Sequence, residues 1–139
     1  MSFELHKQLA TDTFSLMDYE LSSVLLMNDK RYPWVILVPR VADIKDIHEL
    51  NSEEQKRLME EISLASKALM KIFKPEKINV AALGNIVPQL HVHVIARQLD
   101  DETWPSPVWG IGQAKPYSLE EQEELKIKLV TVLSQEGTY

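Results

Sequence analysis

The chain has 139 residues, enough for one ordinary domain that buries a core without covalent staples. Its 15 Lys and Arg stand against 21 Asp and Glu, a net charge of -6, which disfavours a protein that wraps long nucleic acid. There is no cysteine, so disulfide scaffolds, thiol nucleophiles and thiolate-bound metals are excluded.

The first residues carry charges with no apolar stretch behind them, so no secretory signal is expected. The longest apolar runs are far shorter than a membrane span, and a soluble, cytoplasmic protein is the expectation. Without repeats or Gly/Ser linkers, residues 1–139 are expected to form a single domain. Its core would cover about residues 13–110 and its final helix about 118–135.

Residues 3–10 predict a short helix and 13–17 a short strand. Ser22 to Met27 is aliphatic and β-branched and stops at the polar turn Asn28-Asp29-Lys30-Arg31. Trp34 to Pro39 is a second apolar run, and the two together predict a β-hairpin. Asn51 or Ser52 then offers an N-cap, with Glu54 or Gln55 placed to complete a capping box. Leu58, Ile62, Ala65, Leu69 and Ile72 follow at alternating spacings of four and three, which draws one apolar stripe along a long helix that Pro75 ends. Residues 78–83 and 90–96 predict two more strands, and 100–116, rich in Pro, Gly and Trp, an irregular packed segment. A last helix starts at Ser118, boxed by Glu121, with Leu125, Leu129, Val132 and Leu133 on one face. The acidic run from Glu120 to Glu124 suits the positive end of that helix's dipole. The class is α+β: an antiparallel sheet of about five strands with one long packed helix and a C-terminal helix.

Histidine is scarce, with only His6, His48, His91 and His93, yet two of the four lie two residues apart. In a strand, Gln89, His91 and His93 would share one face, and Leu90, Val92 and Val94 the other. That pattern leaves three readings open. The polar face could be plain solvent-exposed sheet. It could supply two ligands to a metal, although zinc sites want three or four and no third His or Cys is near. Or it could serve phosphate chemistry, since a neutral imidazole is nucleophilic at cytoplasmic pH and amide side chains can hold phosphate oxygens.

The run Gln89-Leu-His91-Val-His93-Val-Ile-Ala-Arg97 resembles the signature of the histidine triad (HIT) superfamily, in which His alternates with apolar residues. Gly84-Asn85 ahead of it, Met27-Asn28-Asp29 at the end of one strand and Leu37-Val38-Pro39-Arg40 at the end of the next fit the same pattern, over about residues 13–110. The Tyr32-Pro33-Trp34 and Trp104 to Gly110 segments are most similar to the small bacterial HIT hydrolase-like proteins.

The resemblance implies a nucleotide hydrolase or transferase cutting a phosphoanhydride or phosphoramidate bond at the α-phosphate, with substrates of the dinucleoside polyphosphate or nucleoside phosphoramidate type. His91 would be the covalent nucleophile, its ring N–H held by the backbone carbonyl of Gln89. His93 would bind phosphate oxygens, Asn85 the same phosphate or the leaving group, and Asn28 or Asp29 the ribose hydroxyls. Arg97, read from its place directly after the strand, is expected to pair with a carboxylate or else to add positive potential for phosphate. No metal and no cofactor is implied, and the expected partners are a nucleotide and a second copy of the chain, not a membrane. Gln89 replaces the first triad His and would keep its backbone role, with its amide free to donate to phosphate. Trp34 replaces another family His, and Ile86 lies where a hydroxyl is common, which weakens assistance to the leaving group. The alternatives are a nucleotide-binding regulatory module with reduced catalysis and, behind it, a metal-dependent enzyme using His91 and His93. His6 and His48 are expected at the surface, and Trp104 and Trp109 either in the core or at the mouth of the site.

Overall fold

A computed structural model describes residues 2–136. His6 caps the first helix, α1 (Lys7–Asp12), by accepting a hydrogen bond at Nδ1 from the Gln8 amide. The predicted helix over 3–10 therefore starts four residues late, and the segment before it is non-helical. Strands β1 (Thr13–Asp18), β2 (Ser22–Met27) and β3 (Trp34–Pro39) form an antiparallel meander, with Leu25 opposite Ile36. All six residues of β3 are buried because both faces of the sheet are covered there, which is why it reads as a continuous apolar run instead of an alternation.

The long helix α2 (Ser52–Phe73) opens on the Asn51–Glu54 capping box, whose two reciprocal hydrogen bonds measure 2.8 and 2.9 Å. Its stripe of Leu58, Ile62, Ala65 and Leu69 is buried, joined by Leu64 and Ala68. Lys74, in the left-handed conformation at φ 48, closes it one residue before Pro75. Glu61 is also buried on α2 and accepts from the Leu21 amide at 2.8 Å, tying the helix to the β1–β2 turn. Burial pushes that carboxyl above its ordinary range.

β4 (Lys77–Ala82) and β5 (Val92–Arg97) complete a five-stranded sheet of order β1-β2-β3-β5-β4, antiparallel throughout. α3 (Leu119–Glu136) starts on the Ser118–Glu121 box. One face of the sheet, with Val24, Leu26, Val35, Leu37, Val92 and Val94, packs against α2 and against Leu129 and Leu133 of α3. The other face carries Leu25, Trp34, Ile36 and Ile95 and is covered by α1 through Leu9 and by the irregular segment through Val108 and Trp109. The candidate site lies on this second face. Among the described residues, no helix is long and apolar enough to cross a membrane.

Candidate functional site

Strand β5 begins at Val92, two residues later than expected, so only His93 of the alternating trio is in the strand. His91 sits in the irregular stretch just before it. Its Nδ1 lies 2.7 Å from the backbone oxygen of Gln89. A carbonyl can only accept, so Nδ1 carries the proton and Nε2 keeps its lone pair. His93 has the opposite arrangement. The indole N–H of Trp34 donates to its Nδ1 at 3.0 Å, and an indole can only donate, so the proton of His93 is on Nε2. The two rings stand edge to face, 4.9 Å between centroids, and both residues are buried.

Burial, together with the neighbouring His91, pushes the His93 ring down to about 3. Folded His93 therefore stays neutral, whereas in the unfolded chain its ring takes up a proton below about pH 6.5. The unfolded state then binds more protons as pH falls, so stability falls with it. From pH 7 to pH 5 this is expected to remove roughly 2 kcal/mol. Urea unfolding of His93→Gln, which has no such proton to take up, should lack that slope; an unchanged slope would place the proton uptake elsewhere. Carboxylates held below their ordinary range, such as Asp29 and Asp101, act only at more acid pH.

Both imidazoles open onto a cavity of about 380 Å³ lined also by Gln8, Leu9, Asp12, Asn85 and Trp109. A second cavity of about 360 Å³, lined by Asn28, Asp29, Arg31 and Trp34, shares Asp12, Met27 and Trp109 with the first. The two form one groove from the histidines to the end of β2. Trp109 packs edge to face on His93 at 5.0 Å and on Trp34 at 5.9 Å, so it belongs to the mouth of the site. Trp104 instead lies against the guanidinium of Arg97 at 5.6 Å.

The other expected site residues divide. Asn85 lines the histidine cavity. Asn28 lines the second cavity while its Oδ1 accepts from the Tyr117 amide at 2.9 Å. Asp29 is buried and holds Arg31 through a 2.8 Å ion pair, while also accepting from the Lys115 amide. Burial works against its charge, but these hydrogen bonds, chiefly from Arg31, hold it below the ordinary carboxylate range.

The Gln89 side chain turns away from the cavity. Its Oε1 accepts from the His6 amide and its Nε2 donates to the Glu4 carbonyl, both at 2.8 Å, so the amide expected to face phosphate instead clamps the N-terminal segment that leads into α1. Arg97 is also elsewhere. It is 1% exposed and lines neither cavity, and its guanidinium is bidentate to Asp101 at 2.7 and 3.0 Å and bound to Asn79 and Thr103. A buried guanidinium needs such partners, and Asp101, four residues past the end of the strand, supplies the carboxylate. Sequence reasoning missed Leu9 and Asp12 as walls of the groove; the predicted helix over 3–10 holds Leu9 but stops short of Asp12, and no motif marks either residue. His48 is exposed, and His6 serves as the α1 cap. Among the described residues, no group of three or more His, Asp or Glu gathers to hold a metal ion.

The HIT domain family model matches residues 8–100. A histidine triad protein from Marinobacter aquaeolei VT8 is 51% identical, with a TM-score of 0.94 over 97% of this chain and 98% of that one. One from Bradyrhizobium japonicum is 44% identical, with a TM-score of 0.93 over 96% and 99% of the two chains. A histidine triad (HIT) protein from Sinorhizobium meliloti 1021 is 46% identical, with a TM-score of 0.90 over 93% and 96%. No curated protein matches the sequence. With the family profile spanning most of the chain and these relatives aligning nearly end to end, the chain belongs to the HIT domain family.

Proposed function

We propose that this protein is a nucleotide hydrolase or transferase that carries a nucleotidyl group on His91 Nε2. The observation that supports this most is the pair of complementary imidazoles: a bare Nε2 on His91 beside a protonated Nε2 on His93, over one cavity. The first is a nucleophile at neutral pH, and the second is a donor for a phosphate oxygen. The Gln89 carbonyl steadies the charge that His91 gains on attack, because its hydrogen bond from Nδ1 tightens as the ring becomes cationic. Asn85 adds a neutral donor to the phosphate, and Asn28, farther along the groove, meets the ribose. Asp29 acts one step back, shaping that wall through Arg31. Water then cleaves the nucleotidyl–imidazole bond and releases the nucleoside monophosphate.

A substrate made isotopically chiral at the α-phosphorus tests the covalent route. Each in-line displacement inverts the phosphorus, so two give net retention. Net inversion would mean direct attack by water and would contradict the covalent role of His91. A second reading, a nucleotide-binding module with reduced catalysis, draws on one observation: among the described residues, no Lys or Arg lines the histidine cavity. Tight nucleotide binding without any turnover would favour it.

A further inference from the structure

We propose that Trp34 commits the site to phosphoanhydride substrates, whose leaving group departs as an anion, and against phosphoramidates, whose amine must take up a proton. This deepens the function proposed above and rests on it.

The strand register makes the contact. Ile36 stands directly opposite His93 across β3 and β5, so Trp34, two residues back on the same face, is the diagonal neighbour of His93. The indole is fixed there: Trp34 is 5% exposed and packs edge to face on Tyr32 at 6.4 Å and on Trp109 at 5.9 Å. Its N–H has no acceptor capacity, so it can neither feed a proton to His93 Nδ1 nor take one from it. His93 therefore holds one proton, at Nε2. Losing that proton would leave an imidazolate anion in a buried site, so His93 donates a hydrogen bond and does not transfer its proton. The only proton of His91 points at the Gln89 carbonyl. Among the described residues, the remaining titratable group on this cavity is Asp12, whose Oδ2 accepts from the Gln8 side chain at 2.9 Å.

Anhydride cleavage needs no proton in its first step. The Nε2 lone pair of His91 forms the bond to the α-phosphorus. The bond from that phosphorus to the bridging oxygen breaks, and its electron pair leaves with the departing phosphate as an anion. In the second step water adds to phosphorus, the pair of the P–N bond returns to Nε2, and the water proton goes to solvent. Cleavage of a phosphoramidate would instead leave the pair on nitrogen, an amide anion that must be protonated as it departs. Neither imidazole has a proton placed to give.

The test compares diadenosine tetraphosphate with an adenosine 5′-phosphoramidate bearing an alkylamine, in the wild-type protein and in Trp34→His, alongside 15N NMR of the histidine rings. The wild type is expected to favour the anhydride in kcat/KM by about 10²–10⁴-fold, the worth of a missing general acid. Its His93 should show an unprotonated Nδ1 and a protonated Nε2 from about pH 5 to 8. In Trp34→His the ratio should narrow, because an imidazole can hand a proton to Nδ1 as Nε2 releases one. If that variant does not fold, the wild-type ratio and spectrum decide. Phosphoramidate turnover within about tenfold of the anhydride, or a His93 protonated on Nδ1, would overturn the inference while leaving the covalent function in place. Turnover of neither substrate, with both rings in the stated tautomers, would overturn that function and the inference with it.

Discussion

His91→Ala is expected to lower turnover of a nucleotide substrate by at least about 10⁴-fold, since removing a covalent nucleophile removes the reaction path and not merely one contact to the transition state. The fold should survive. His91 lies in the irregular stretch before β5, outside the strand ladder, and its side chain hydrogen-bonds to the Gln89 carbonyl. Losing that bond and a small amount of packing costs about 1–2 kcal/mol, because the partner carbonyl is left buried or finds water. The nucleotide should still bind, because His93, Asn85 and the groove towards Asn28 are untouched. Steady-state kinetics, with a thermal melt run beside them, separate the two effects. Unchanged turnover in a folded variant would remove His91 from the chemistry.

Arg97→Met is expected to do the reverse. The guanidinium is 1% exposed and its partner Asp101 has 6% of its side chain exposed, so the substitution strands a buried carboxylate. Breaking one side of such a pair costs about 3–5 kcal/mol, even where replacing both sides would be nearly neutral. The loss should be large here because Asp101 also accepts from the amides of Gln98, Thr103 and Trp104, and so holds the turn that starts the irregular segment. Tyr32 loses a stacked cation as well, at 5.4 Å. In a domain of this size the melting midpoint should fall on the order of 10 °C. Measured well below that midpoint, kcat/KM should stay within about twofold of wild type, since Arg97 lines neither cavity. A stable variant that has lost nucleotide affinity would show that Arg97 serves the substrate directly.

These two residues also mark how far the sequence could be read. β2 and β3 were legible to the residue, because each is an apolar run bounded by a turn or a proline. The capping boxes at Asn51 and Ser118 located the starts of α2 and α3, because a box satisfies specific orphan amides and so leaves a fixed spacing in the chain. The start of β5 was less legible. Alternation suggests a strand through Gln89 and His91, and nothing in it shows that the His91 ring folds back on a carbonyl two residues upstream. The Gln89 amide could have pointed to the phosphate as well as to Glu4 and His6, since the choice depends on a partner some 83 residues away in the chain. The same holds for Arg97: its residue type suits an anion or a carboxylate equally, and only the turn back to Asp101 decides. Trp109 has no periodicity around it, so its place against His93 follows from packing alone.

The central claim is that His91 Nε2 becomes covalently nucleotidylated. Nucleotidyl–imidazole bonds are labile in acid, so the reaction with diadenosine tetraphosphate should be stopped in alkaline denaturant at early times and digested with trypsin. The peptide of residues 78–97 holds both histidines, and fragmentation between them assigns the adduct by mass spectrometry. An adenylyl group on His91 that forms and decays at the rate of turnover is the expected result. An adduct on His93 instead, or full turnover with neither ring modified at any time, would contradict it.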